Sequence, residues 1–119
     1  MAEEQSHITV AEAGEVRVVT FSDRKILDEL SIAEIRDELT QLVESTKRIK
    51  LLLSFKNVEH LSSAALGVLI TLNKQVGEQK GTLKLSDICP RIFEVFKITR
   101  LNKLFDIHET SEAALGGFR

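Results

Sequence analysis

The segment Phe55-Lys56-Asn57-Val58-Glu59-His60-Leu61-Ser62-Ser63-Ala64-Ala65-Leu66-Gly67-Val68-Leu69 decides how this chain is read. Into it runs Lys50 to Phe55 (KLLLSF), a continuous apolar stretch of the kind expected for a strand covered on both faces. Out of it runs a helix predicted over Ser63 to Lys80, with Lys80 in its last turn and Gly81 just past its end. The first half of that helix, AALGVLITL, is apolar almost all round, which predicts burial against a sheet with Leu69 and Leu72 in the core. Between strand and helix lies a short loop ending in two serines. The carboxyl end of a buried strand is where open α/β sheets usually place their sites. A serine there has two physical uses: it can cap the helix through its hydroxyl, or carry a phosphate whose charge the helix amino end tolerates.

Working outward, His7 to Ala11 alternates, with Ile8 and Val10 on one side, and Ala13-Gly14 turns the chain. Glu15 to Phe21 then reads as a second, antiparallel strand. Ser31 and Glu34 have the spacing of a capping box, and Leu30 with Ile35 that of a hydrophobic staple, so a helix is expected from Ser31. Ile32, Ile35, Leu39, Leu42 and Val43 form its apolar stripe. Thr82 to Ser86 reads as a further strand. Pro90 fits the first turn of a third helix with Ile92, Phe93, Val95 and Phe96 on its apolar face. Leu101 to Ile107 reads as a turn and a short strand, and Ser111 to Leu115 as a small last helix. Strands alternating with helices call for a mostly parallel sheet with right-handed crossovers, and the initial hairpin makes it a mixed one. The expected fold class is α/β with about four helices.

The chain has 119 residues and is 43% hydrophobic, enough for one domain over 1–119 with a real core; residues 1–6 are expected to be flexible. Sixteen basic against eighteen acidic residues give a net charge of −2, which leaves no basic excess for direct nucleic-acid binding. No apolar run approaches the roughly 18–20 residues of a membrane span, and Met1 to His7 is unlike a secretory signal. With a single cysteine, Cys89, read as a small buried residue, a soluble cytoplasmic protein is expected. His7, His60 and His108 lack metal-ligand spacing, so no metal is expected. With no G-x-G-x-x-G or P-loop pattern, no cofactor is expected either, and Gly67 is read as a residue that permits close packing. A small hydrolase using Ser63 ranks low, since there is no G-x-S-x-G elbow and one nearby His is not a triad. Glu34, Arg36, Asp37 and Glu38 read as an exposed helix face. Leu101 to Phe105 and Phe118 read as apolar segments reaching the surface.

The segment VEHLSSAALGVL resembles the signature of STAS domains, V-x-x-hydrophobic-Asp-Ser-Ser/Thr-Gly-Leu-Gly-hydrophobic, as found in the anti-sigma factor antagonists of bacterial partner switching. The hairpin, the helix near Ser31, the GTLKL strand and ICPRIFEVFKITRLNKLFDI follow that family's order, so the resemblance spans Ile8 to the end. It implies a STAS fold and a non-enzymatic switch. Aligning Leu66-Gly67 puts the family's phosphorylated serine at Ser63, with Ser62 as second choice. The aspartate before the family's first helix matches Asp28. The implied partner-binding surface comprises Asp28, Glu59, His60, Ser62, Ser63, Ala64, Ala65, Leu66 and Gly67. The implied partners are an anti-sigma factor of serine-kinase type and a PP2C-type phosphatase, with the domain a monomer or weak homodimer. The sequence departs from the signature at Ser62 (family Asp), Ala64 (family Ser or Thr) and Ala65 (family Gly). The alternative is a STAS scaffold or transport-associated subunit that binds without phosphorylation.

Overall fold

Either side of Gly14, whose φ of 65° makes the turn, β-branched and alternating residues form β1 (Ile8–Ala13) and β2 (Val16–Phe21), paired antiparallel. The computed structural model describes residues 7–118, so the expectation of flexibility over 1–6 lies outside the described residues. Next come a two-residue strand, β3 (Lys25–Ile26), and α1 (Glu29–Glu44). The buried strand is β4 (Lys50–Ser54), and the serine loop contains β5 (His60–Leu61) before α2 (Ser63–Glu78). Then follow β6 (Thr82–Ser86), α3 (Pro90–Ile98), a 3-10 turn (Leu101–Lys103), β7 (Asp106–His108) and α4 (Ser111–Gly116).

The main sheet runs β1-β2-β4-β6-β7, parallel except for the first pair, and β3 and β5 form a separate parallel pair. The mixed α/β expectation is met. Alternation along β4 explains its continuous apolarity. Leu51 and Leu53 join the large core with Leu39, Leu69, Leu72 and Phe96, contributed by α1, α2 and α3. Leu52 points the other way and packs with Val16, Ala114 and Phe118 under α4.

Several local expectations need correcting. The first helix starts at Glu29, not Ser31, because Asp28 is its cap: Asp28 Oδ2 accepts from the Ser31 N–H at 2.9 Å. Ser31 is thus already in the first turn, no Ser31–Glu34 box forms, and Leu30 is 69% exposed rather than stapled. The second helix ends at Glu78. Lys80 takes the left-handed position (φ 61°), its N–H bonding Gly77 O at 2.9 Å while the Gly81 N–H bonds Val76 O at 2.8 Å. Gly81 is needed for a different reason, since a Cβ there would lie 2.5 Å from the Ile49 carbonyl oxygen. Beyond its own helix no atom lies within 4 Å of a Cβ placed on Gly67, so it is not a close-packing glycine. The apolar half of α2 buries Ala65, Leu66, Leu69 and Leu72 but leaves Ala64 and Ile70 exposed, because only one side meets the core. Cys89 is half-buried. Phe105 and Phe118 are buried rather than surface-reaching: Phe105 packs on Phe96 with ring centroids 5.9 Å apart, and Phe118 closes the α4 side.

Candidate functional site at two adjacent helix starts

After Phe55 the chain turns through a Val58 N–H to Phe55 O bond, and Asn57 Nδ2 donates to Phe21 O at 3.1 Å, fastening the loop to β2. The Glu59 and His60 N–H groups both donate to Arg24 O, at 2.7 and 3.1 Å. From there β5 runs beside β3, Lys25 against His60 and Ile26 against Leu61, and the Ser62 N–H donates to Ile26 O. Each strand then feeds a helix. Asp28 caps α1 and Ser62 caps α2, the Ser62 Oγ accepting from the Ala65 N–H at 3.2 Å. Asp28 is thereby brought beside the serine loop.

The two serines have different jobs. Ser62 supplies the cap, so the capping role open to Ser63 falls to its neighbour. Ser63, the first helical residue, is exposed. The Asp28 carboxyl is held below its usual range, first by the bond from the Ser31 N–H, so it stands as a carboxylate at the α1 start. Glu59 is likewise held low, chiefly by the hydrogen bond from Arg24 Nη2 at 3.1 Å. Arg91 Nη1 lies 3.3 Å from His60 Nε2, so this ring nitrogen faces a guanidinium. Ala64 is exposed and Gly67 half-buried, while Ala65 and Leu66 are buried and offer little contact area. Their side chains hold α2 onto the core.

Sequence reasoning missed Arg24 and Arg91. Neither belongs to a local motif; β3 and α3 bring them to the loop. It also missed His7, whose Nδ1 and Nε2 lie 2.7 Å from Asp23 and 2.6 Å from Glu34, tying the start of β1 to α1. On the opposite face of the sheet, Ser86 and Ser111 each donate to Asp87 Oδ2 at 2.7 Å, which fastens α4 to the end of β6. Among the described residues no group of three or more His, Cys, Asp or Glu is placed to hold a metal, and no helix is long and apolar enough to cross a membrane.

Residues 7–114 match the family described as STAS domain. The chain belongs to the STAS domain family. A relative from Bacillus subtilis (strain 168), named an anti-sigma-B factor antagonist, is 33% identical over 89 residues, 75% of this chain and 80% of that protein. Among solved structures, an anti-sigma-factor antagonist (STAS) domain protein from Planctomyces limnophilus superposes with a TM-score of 0.86 at 20% identity, covering 98% of this chain and 100% of the other. An anti-sigma factor antagonist from Mycobacterium paratuberculosis gives 0.81 at 23% identity, covering 92% and 91%. The fold of this STAS domain is therefore the one its sequence pattern led us to expect, including the hairpin and the helix at the serine loop.

Proposed function

We propose that this STAS domain is an anti-sigma factor antagonist that acts by binding, not catalysis, and that Ser63 is its phosphorylation switch. Unmodified, it binds an anti-sigma factor of serine-kinase type in the cytoplasm and so frees a sigma factor. The kinase passes the γ-phosphoryl group of ATP to Ser63 Oγ, releasing ADP and the hydroxyl proton, and the complex separates. A PP2C-type phosphatase hydrolyses the phosphoester and resets the protein.

The observation that carries this reading is the division of labour between the serines: Ser62 caps α2, which leaves the exposed Ser63 hydroxyl on the first helical residue. A phosphate there meets the favourable end of the helix dipole, worth roughly 0.3–2 kcal/mol, so α2 stays folded. The surface, however, gains a dianion at the end of a loop that already carries the Glu59 carboxylate. A partner covering that patch must desolvate the phosphate or face like charge.

The test begins with a pull-down by the unmodified protein and identification of a GHKL-type kinase in the eluate. That kinase is then titrated with wild type, Ser63→Ala and Ser63→Glu, alongside thermal melts and intact mass after incubation with ATP. Expected are a gain of one phosphate on wild type but not on Ser63→Ala, and at least about a tenfold loss of affinity for Ser63→Glu at unchanged melting temperature. Equal affinity of wild type and Ser63→Glu, or phosphate gained elsewhere, overturns the switch.

A further inference from the structure

Beside the serine loop a groove of about 170 Å³ opens between β5, the connection from β3 to α1, and α3. Leu61, Leu66 and Ile92 line it together with Leu27 and Val95, large apolar side chains left 50% and 39% exposed. Scattered exposed apolar residues are ordinary, but these two, from different elements, line one apolar groove that no described residue covers. The rim is charged. Glu59 is occupied by Arg24, whereas Arg91 stands at the amino end of α3, a helix with no acidic residue in its first turn and no side-chain bond from its cap residue Cys89. Arg91 contacts a His60 ring nitrogen and also acts on the Glu59 carboxylate, so two arginines, Arg24 and Arg91, share a single acidic group. This end of the groove is therefore suited to negative charge.

We infer that this groove is the anchor site for the partner: it takes an aliphatic side chain between Leu27 and Val95, with an adjacent carboxylate on Arg91. The inference rests on the proposed binding of a partner at the Ser62–Ser63 end, to which the groove is joined through Leu61 and Leu66, the residues either side of the serines that line it. One partner segment crossing both would place its acidic group at Arg91 and its neighbouring surface over Ser63. Affinity and switching then reside in different residues: the groove supplies the hold, and the serine supplies the repulsion.

Two arms test it. In the first, the N-acetylated, C-amidated dipeptides Leu-Glu and Leu-Lys are titrated into the whole protein and followed by amide NMR shifts. Leu-Glu should move Leu27, Leu61, Arg91 and Val95 resonances and Leu-Lys should not; equal response to both, or shifts elsewhere, overturns the charge assignment. In the second, the recovered kinase is titrated with Arg91→Glu, Arg91→Lys and Val95→Asp, with Val10→Asp on the distant edge strand as control and melts to confirm folding. Arg91→Glu and Val95→Asp should each bind at least about tenfold more weakly, Arg91→Lys close to wild type, and the control unchanged. If Ser63→Glu loses binding while the groove variants keep it, the anchor is overturned and the switch stands. If no kinase is recovered, the switch reading fails and the dipeptide arm still decides the groove.

Discussion

The Ser62 backbone N–H donates to the Ile26 carbonyl at 3.1 Å, closing the ladder between β3 and β5 one residue before α2 begins. Asp28 caps α1 two residues past Ile26, and Ser62 caps α2 one residue past Leu61. The bond therefore sets the amino ends of two helices side by side. Two positive dipole ends repel, and the Asp28 carboxylate offsets part of that repulsion. The α2 first turn holds no acidic residue, so a charge added at Ser63 falls on the helix start that lacks one.

Removing the cap hydroxyl by Ser62→Ala should cost about 0.5–2 kcal/mol in urea denaturation. Ser31→Ala should cost less than Ser62→Ala, because alanine keeps the backbone N–H that Asp28 accepts and loses only the Ser31 hydroxyl's contact with that carboxylate. The reverse order would return the α1 start to Ser31.

Leu69 and Leu72 are buried where α2 meets the core. Truncating either to Ala should cost roughly 2–5 kcal/mol, read from the denaturant midpoint at constant slope. Near-neutral results at both would mean that α2 is not packed on the sheet.

At the α2 end, Gly81→Ala puts a methyl group 2.5 Å from a backbone oxygen, which cannot swing away as a side chain can. A loss of about 1–3 kcal/mol is expected. Lys80→Gly should be nearly neutral, within about 0.5 kcal/mol: relief at a left-handed residue is offset by the extra freedom glycine gives the unfolded chain. Parallel melts of the two variants check both statements.

His7 supplies a pH dependence. Its pKa is raised above the ordinary 6.5: burial pulls it down, but the hydrogen bonds and charges of Glu34 and Asp23 outweigh that. A raised folded-state pKa adds stability that is complete below the unfolded value and lost as pH rises through the folded one. Stability should therefore fall from about pH 6.5 upward by an amount that His7→Gln abolishes, measured by urea denaturation from about pH 6 to pH 8. An identical pH profile for the variant would remove the two-carboxylate clasp as its cause.

The strands and helices of the main sheet were legible because their cues are local. Val16 to Phe21 is β-branched, Leu51 to Leu53 is apolar on both faces, and Leu39 with Val43 marks a stripe at helical spacing. Where two local cues competed, pattern alone chose wrongly. Asp28-x-x-Ser31 and Ser31-x-x-Glu34 are both plausible helix starts, and the pairing of Ile26 with Leu61 ends two residues before Asp28, so the earlier start is taken. Two-residue strands such as β3 and β5 carry no periodicity and left no sequence signal.

By itself the sequence determined the order of the main-sheet strands and the four helices, the hairpin, the two-sided burial of β4 and the presence of a serine pair at a helix start, since side-chain alternation and capping chemistry act over a few residues. Only the tertiary structure decided that Ser62 caps while Ser63 stays open, that Asp28 caps α1, that Arg24 and Arg91 rim the loop, and that Gly81 is fixed by Ile49. Those relationships join residues far apart in the chain, and their energies exist only once the sheet and helices have closed around one core.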